Sequence, residues 1–350
     1  MLTIAFDNSY ARDLEGLYLP WQGAVVPDPA MVWLNEGLAE ELGLDPEALR
    51  SPEGVAMLAG SAMPEGAAPL AMAYAGHQFG GFSPQLGDGR ALLVGEVLNR
   101  QGKRRDIHLK GSGKTPFSRG GDGKAGLGPV LREVLIGEAM HALGIPTTRA
   151  LAATTTGETV WREKPQIGSV LARVADSHLR VGTFQFFAAR GETDQIKALT
   201  AYTIARHYPH LAPDDALGLF DAVTARQVHL IAQWMGVGFV HGVMNTDNVA
   251  ISGETIDFGP CAFLDDYSSK SVFSSIDEFG RYSFGHQPVI GRWNLTQLGS
   301  ALADVVADID PQGIEAMNAL LAGYAERYQT VWLEGVRAKL GLVSADAQDL

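Results

Sequence analysis

A single cysteine, Cys261, among 350 residues rules out an intramolecular disulfide and any metal site built from several thiolates, and it suits a reducing compartment. No run of about 18 apolar residues occurs, so no membrane-spanning helix is expected. The opening segment, MLTIAFDNSYARDLEG, has no basic stretch leading into an apolar one, and the expected location is the cytoplasm. Positive charge is scarce as well. With 27 Lys and Arg against 40 Asp and Glu the net charge is −13, which argues against a general nucleic-acid or anionic-membrane surface, since both need basic stripes. Internal repeats and low-complexity segments are not seen either.

What is present is the composition of an ordinary globular protein, 46% apolar and 19% charged, with a mean hydropathy of +0.02. The length exceeds the usual single domain and predicts two packed lobes or one large two-layer unit. The few basic residues cluster. Lys103, Arg104, Arg105, Lys110, Lys114, Arg119 and Lys124 follow one another closely, as either a solvated loop or a local polyanion site.

Residues 1–70 alternate Pro- and Gly-rich stretches with one predicted helix, Asp28 to Leu44, and are read as an N-terminal wrapping segment. GHQFGGFSPQLGDGR (76–90) is a glycine-rich turn feeding a strand, ALLVGEVLN (91–99). A second strand, DIHLK (106–110), ends on Lys110, and the glycine-rich loop GSGKTPFSRGGDGKAGLG follows. Pro129 opens a helix over 129–144, and strands are predicted at ETVWRE (158–163) and IGSVLARV (167–174). Beyond about residue 184 the periodicity is helical, over Ile196–Tyr208, Asp214–Met235, Leu295–Val306 and Pro311–Leu340, with short strands at NVAIS (248–252) and ETIDF (254–258) between the second and third. The chain closes on the polar stretch VSADAQDL. The expected organisation is a segment 1–70, a β-rich nucleotide-binding lobe 71–185 and a helical lobe 186–350 bearing metal-binding loops.

GSGKT (111–115) resembles the end of a phosphate-binding loop of the G-x-x-x-x-G-K-[ST] type, but His108 stands where its first glycine belongs, and Pro116–Phe117 blocks the helix that should follow. Lys110 at a strand end, held by Glu133 on the next helix, is a better phosphate-pairing group, because a carboxylate partner fixes an otherwise wandering ammonium. HGVMNTDN (241–248) and Asp257–Phe258–Gly259 then offer an amide and a carboxylate, hard oxygen ligands suited to Mg²⁺. Lysine, glutamate, asparagine and aspartate in this order reproduce the protein-kinase plan. The expected fold is α+β: a kinase-like bilobal arrangement, with a β-rich N-lobe carrying a Glu-bearing helix and a helical C-lobe. Two departures stand out. Aligned on its His and Asn, HGVMNTDN has Gly242 and Val243 where a kinase loop has arginine and the catalytic aspartate, and a G-D-G-R turn with Asp88 and Arg90 replaces the kinase glycine loop.

GHQFG (76–80), QLGDGRA (85–91), LKGSGKTPFSR (109–119), GDGKA (121–125), EAMHALGIPTTRAL (138–151), ARVADSHLRVGTFQ (172–185), HGVMNTDN, ETIDFGPCAFLDDY (254–267), FSSIDEFGRYSFGHQP (273–288) and WNLTQL (293–298) resemble the selenoprotein O family of protein adenylyltransferases, over essentially the whole chain. The resemblance implies a kinase-like fold in which ATP lies flipped, so that AMP is transferred to Ser, Thr or Tyr hydroxyls of protein substrates, with Mg²⁺ or Mn²⁺ as cofactor. It implies that Lys110 pairs with phosphate and Glu133 orients it. Gly87, Gly89, Arg90, Asp122, Gly123, Arg173, Arg180 and Asp257 complete the nucleotide site, Asn248 and Asp257 hold the metal, and Asp247 is the proton acceptor. A loose transfer asks little of a base, which leaves a structural or metal-binding role open for Asp247. Members of the family generally run further, to a cysteine or selenocysteine near the C-terminus; none stands there in this sequence, so redox regulation is not carried over. The competing readings are an ordinary kinase transferring the γ-phosphate and a non-catalytic ATP-binding scaffold. His241 and Cys261 are read as packed structural residues.

Overall fold

β-branched and apolar stretches pair into one antiparallel sheet in the first half of the chain, while helices dominate the second; the computed structural model describes residues 2–342. The fold class is α+β. The chain divides into two units, the residues up to Gly76 with Ser83–Leu179, and His77–Phe82 with the residues from Arg180 onward. The strands are β1 (Tyr18–Pro20), β2 (Ala30–Leu34), β3 (Leu70–Met72), the hairpin strands β4 (Gly76–Gln78) and β5 (Gly81–Ser83), β6 (Ala91–Leu98), β7 (Arg104–Lys110), β8 (Ala125–Gly126), β9 (Arg149–Trp161) and β10 (Pro165–Ala175). The first unit's sheet runs β1-β3-β6-β7-β10-β9-β2, with β8 added alongside β10.

The helices of this unit are α1 (Ser9–Asp13), α2 (Glu36–Glu41), α3 (Pro46–Arg50), α4 (Pro52–Leu58) and α5 (Leu127–Ala142). Leu38, Leu49 and Leu58 of α2 to α4 share one core with Val94, Ile107, Leu109, Val170 and Ala172 of the sheet. Val130 and Val134 of α5 form a second core with Ala153 and Leu171. Successive residues of a strand face opposite ways, so β7 gives Ile107 and Leu109 to the first core and turns Asp106, His108 and Lys110 the other way. Pro129 sits inside the first turn of α5, where its missing N–H costs no helical bond.

One expectation fails here and another falls short. The helix over Asp28–Leu44 is instead the strand β2 followed by the short helix α2, capped by Asn35, whose side chain accepts from Leu38 N at 3.1 Å. Residues 30–34 alone fit either period; β9 supplies a row of backbone partners, and pairing wins. β9 also begins well before Glu158, at Arg149, so the hairpin with β10 is longer than the sequence signal.

The second unit holds α6 (Val181–Ala188), α7 (Thr193–His207), α8 (Ala216–Gly236), the paired strands β11 (Phe239–Val240) and β12 (Ala262–Phe263), α9 (Gln287–Ile309), α10 (Gly313–Ala322) and α11 (Tyr324–Leu340). Leu219, Phe220, Val223, Leu230, Ile231 and Trp234 recur at helical spacing along the buried side of α8. The helix expected over Pro311–Leu340 is two, parted at Gly323, a poor helix former. NVAIS and ETIDF are not strands: a 3₁₀ turn covers Thr246–Asn248, Ala250 makes an isolated bridge to Arg180, and positive φ at Gly253 (80°) and Asp257 (65°) turns the chain instead. VSADAQDL lies outside the described residues. Among those described, no helix is long and apolar enough to cross a membrane.

Candidate active site

In the first unit, Lys110 ends β7 with its Nζ 2.6 Å from Glu133 Oε1, and both side chains are about nine-tenths buried, at 11% and 10% exposure. Leu171 of β10 and Ala91 of β6 flank Lys110 in the sheet, so the strand end is fixed from both sides. An ion pair so far from water holds the ammonium in one rotamer.

Three glycine-bearing loops interlock beside this strand end. Gly87 has φ of 66°, and a Cβ there would fall 2.3 Å from the Phe117 ring; one on Gly89 would fall 2.8 Å from the Phe117 carbonyl oxygen. Thr115 Oγ1 donates to the Asp88 carbonyl at 2.7 Å, and Ser118 Oγ donates to that of Gly89. The Gly123 carbonyl accepts from Gly113 N–H at 3.0 Å, and Gly123, with φ of 71°, approaches so closely that a Cβ on it would lie 2.1 Å from the Gly113 oxygen. Only glycine permits these approaches. Lys114 is exposed and the next helix after it starts only at Leu127, so GSGKT is a loop locked onto the G-D-G-R turn and not the mouth of a helix.

Arg90 is exposed at the head of the turn, whereas Arg173 of β10 is 2% exposed. Asp122 is occupied: Arg162 grips its carboxylate with two bonds, at 2.7 and 3.0 Å, and those bonds hold it below the usual carboxylate range. Its side chain therefore braces the loop through Arg162, a residue with no sequence signal.

In the second unit, Arg180 is 3% exposed and its Nη1 donates to Asp257 Oδ2 at 3.0 Å and to the Asp247 carbonyl at 2.8 Å. One guanidinium thus ties together the loops of HGVMNTDN and Asp257–Phe258–Gly259. Asp257 sits at φ of 65°, a strained position for a residue with a Cβ, of the kind found at functional sites. Asn248 donates its amide nitrogen to the Val243 carbonyl at 3.0 Å, so its oxygen is the end of the amide that could meet a cation. Among the described residues no three His, Cys, Asp or Glu side chains gather around one point. An amide and a carboxylate alone fit Mg²⁺ or Mn²⁺ that takes its other ligands from phosphates and water, and not a cage of protein ligands.

Asp247 shares the 3₁₀ turn Thr246–Asn248 with Asn248, so the loop is bent where two adjacent side chains need it to be. Burial pushes its carboxyl up to about 6, partly offset by Arg180. Its Oδ1 is buried without a partner, and Oδ2 receives Gln78 Nε2 at 3.4 Å. A carboxylate poised there can accept a proton near neutral pH. His241 is wholly buried, donating from Nε2 to the Ile256 carbonyl at 2.9 Å and accepting from Val243 N at Nδ1, a structural histidine.

The hairpin tip His77–Phe82 braces this loop, and sequence reasoning missed it. His77 N donates to Thr246 Oγ1 at 2.7 Å, and Phe79 N donates to Asn245 Oδ1 and Tyr282 Oη, both at 3.1 Å. Tyr282 Oη donates to the same Asn245 oxygen at 2.6 Å, and Gln185 joins Thr246 to His77. Positive φ at Phe79 and Gly80 makes the tip a two-residue hairpin turn of the primed kind.

The profile of the family described as "Protein adenylyltransferase SelO" matches residues 1–350. A protein nucleotidyltransferase YdiU from Cereibacter sphaeroides (strain ATCC 17025 / ATH 2.4.3) is 61% identical over 352 residues, spanning 100% of this chain and 73% of its own. Proteins of the same name from Rhizobium etli (strain CIAT 652) and Rhodopseudomonas palustris (strain BisB5) are 59% and 58% identical, over 99% and 98% of this chain and 69% and 70% of theirs.

Proposed function

The chain belongs to the protein adenylyltransferase SelO family, and from that premise we propose that it works as a kinase-like bilobal enzyme, the β-rich unit gripping the nucleotide and the helical unit supplying metal and base. It is a nucleotidyltransferase that moves AMP from ATP to hydroxyl groups of proteins. The observation that carries the kinase-like reading is the Lys110–Glu133 ion pair, a strand-end lysine fixed by the following helix.

Lys110 meets phosphate oxygens, and the Gly87–Arg90 turn, Asp122–Gly123, Arg173 and Arg180 shape the rest of the nucleotide site, with close backbone approach where a Cβ would collide. Asn248 and Asp257 hold Mg²⁺ or Mn²⁺, which supplies charge neutralisation on the phosphates. The acceptor oxygen attacks the α-phosphorus, the bond from that phosphorus to the bridging oxygen of the β-phosphate breaks, pyrophosphate leaves, and Asp247 takes the hydroxyl proton. The cationic groups Lys110 and Arg173 compensate the charge that develops on the leaving group. A buried Cys261 and dependence on ATP fit the cytoplasm.

ATP labelled at the α-phosphate is expected to label a protein acceptor, whereas γ-labelled ATP is not; the reverse pattern would mean an ordinary kinase, and no label from either a scaffold. Asp257→Ala is expected to abolish α-label incorporation. Undiminished labelling by that variant would sink the metal assignment.

A further inference from the structure

The side of β7 that carries Lys110 also carries a deeply buried polar cluster. His108 and His178 are 0% exposed, Asp88 1%, and Asp106 and Arg173 2%. Arg173 stands opposite His108 across the ladder between β7 and β10. Charged and polar groups buried this deeply persist only with directed hydrogen bonds.

The directions follow from valence. Arg173 Nε lies 3.3 Å from His108 Nδ1. A guanidinium cannot accept, so Nδ1 carries the lone pair and the ring proton sits on Nε2. From there it donates to Asp88 Oδ2 at 3.1 Å, an oxygen that also accepts from Met72 N at 3.1 Å. His178 is fixed in the opposite tautomer: its ring Nδ1 and its backbone N donate to Asp106 Oδ2 at 2.9 and 2.8 Å, and its Nε2 lone pair is buried without a partner. The two rings stack with centroids 4.1 Å apart and planes 15° apart, which stops His108 from rotating off its two partners.

We propose that His108 is a positioning residue for nucleotide binding, tying the Gly87–Arg90 turn, through Asp88, to the guanidinium of Arg173 so that both hold one geometry before ATP arrives. This rests on the assignment of Arg173 and the turn to the nucleotide. Imidazole suits the task because one rigid ring offers an acceptor on one edge and a donor on the other. A lysine or arginine at this point would set cation against cation, and an apolar residue would leave Asp88 and Arg173 short of a partner. Pre-organisation of this kind acts on ATP affinity more than on the chemical step.

The test uses the full chain, α-labelled ATP, a protein acceptor and thermal unfolding. Arg173→Met is expected to raise KM for ATP roughly tenfold or more; an unchanged KM overturns the assignment of Arg173 and this inference with it. His108→Leu is expected to raise KM for ATP about fivefold or more, His108→Gln to recover most of that loss by keeping one acceptor and one donor, and His108→Leu to add less than about twofold in the Arg173→Met background. If Arg173→Met behaves as expected but the two effects multiply, or if His108→Leu lowers kcat and melting temperature with KM unmoved, the inference fails while the site assignment stands. Should His108→Leu not fold, His108→Asn takes its place, its shorter amide reaching only one of the two partners; a KM for ATP equal to that of His108→Gln then refutes the proposal.

Discussion

His178 offers a quantitative check on the buried cluster. It is fully enclosed, and burial, with His108 and Arg173 close by, pushes its imidazole from 6.5 down to about 3. Between those values the unfolded chain binds a proton that the folded one does not, so stability rises with pH across this window and falls as the solution is acidified. The slope is about 1.4 kcal/mol per pH unit once pH is below the unfolded value, which amounts to about 2 kcal/mol lost between pH 7 and pH 5. His178→Asn keeps a donor toward Asp106 but cannot titrate. Urea unfolding of both proteins at half-unit steps from pH 7 to pH 5 should therefore give wild-type stability that drops by about 2 kcal/mol relative to the variant, roughly 4–8 °C in melting temperature for a unit of this size. Taking the difference cancels the carboxylates common to both, including Asp247, whose raised value acts with the opposite sign between 3.8 and about 6. Parallel curves for the two proteins would refute the assignment of His178 as a neutral, buried ring.

Three further outcomes are expected. Glu133→Gln removes the negative charge beside Lys110 and should lower kcat/KM for ATP by up to about 100-fold, read by α-label incorporation at varied ATP, with the circular dichroism spectrum unchanged. Tyr282→Phe removes the hydroxyl shared by Asn245 and Phe79 and should lower kcat roughly tenfold, while isothermal titration of ATP shows affinity within about twofold of wild type. Gly123→Ala forces a Cβ onto the Gly113 carbonyl at positive φ and should cost at least about 1–3 kcal/mol of stability, seen as a lowered melting temperature; an unchanged one would mean that the interlocked loops relax freely.

The parts legible in the sequence are those whose period and spacing are local. DIHLK alternates and ends on Lys110, and the helix after Pro129 carries Glu133 at a position that the structure joins to Lys110. α8 was readable because its buried face repeats over five turns and more. Residues 30–34 were not, because a strand at the sheet edge is decided by β9, more than a hundred positions away. ETIDF has the composition of a strand, yet its Asp257 adopts positive φ and its loop is held by Arg180, a tertiary contact that no window of sequence contains. Gln78, Gln185 and Tyr282 escaped for the same reason: each is an ordinary polar residue until the fold brings it to the loop of Asp247.

The hairpin tip His77–Phe82 has a consequence for how the molecule can be made. His77 and Thr246 are 169 positions apart, so on the ribosome the tip emerges long before the loop it will brace, and it must wait while some of the chain's later helices are still being synthesised. A gene fragment beginning at Arg180 would encode every helix of the second unit that the structure describes and still lack the backbone donors of His77 and Phe79 to Thr246 and Asn245. Splitting this enzyme at its unit boundary for expression, or grafting its helical half onto another nucleotide-binding half, therefore requires carrying those six residues across as a separate piece.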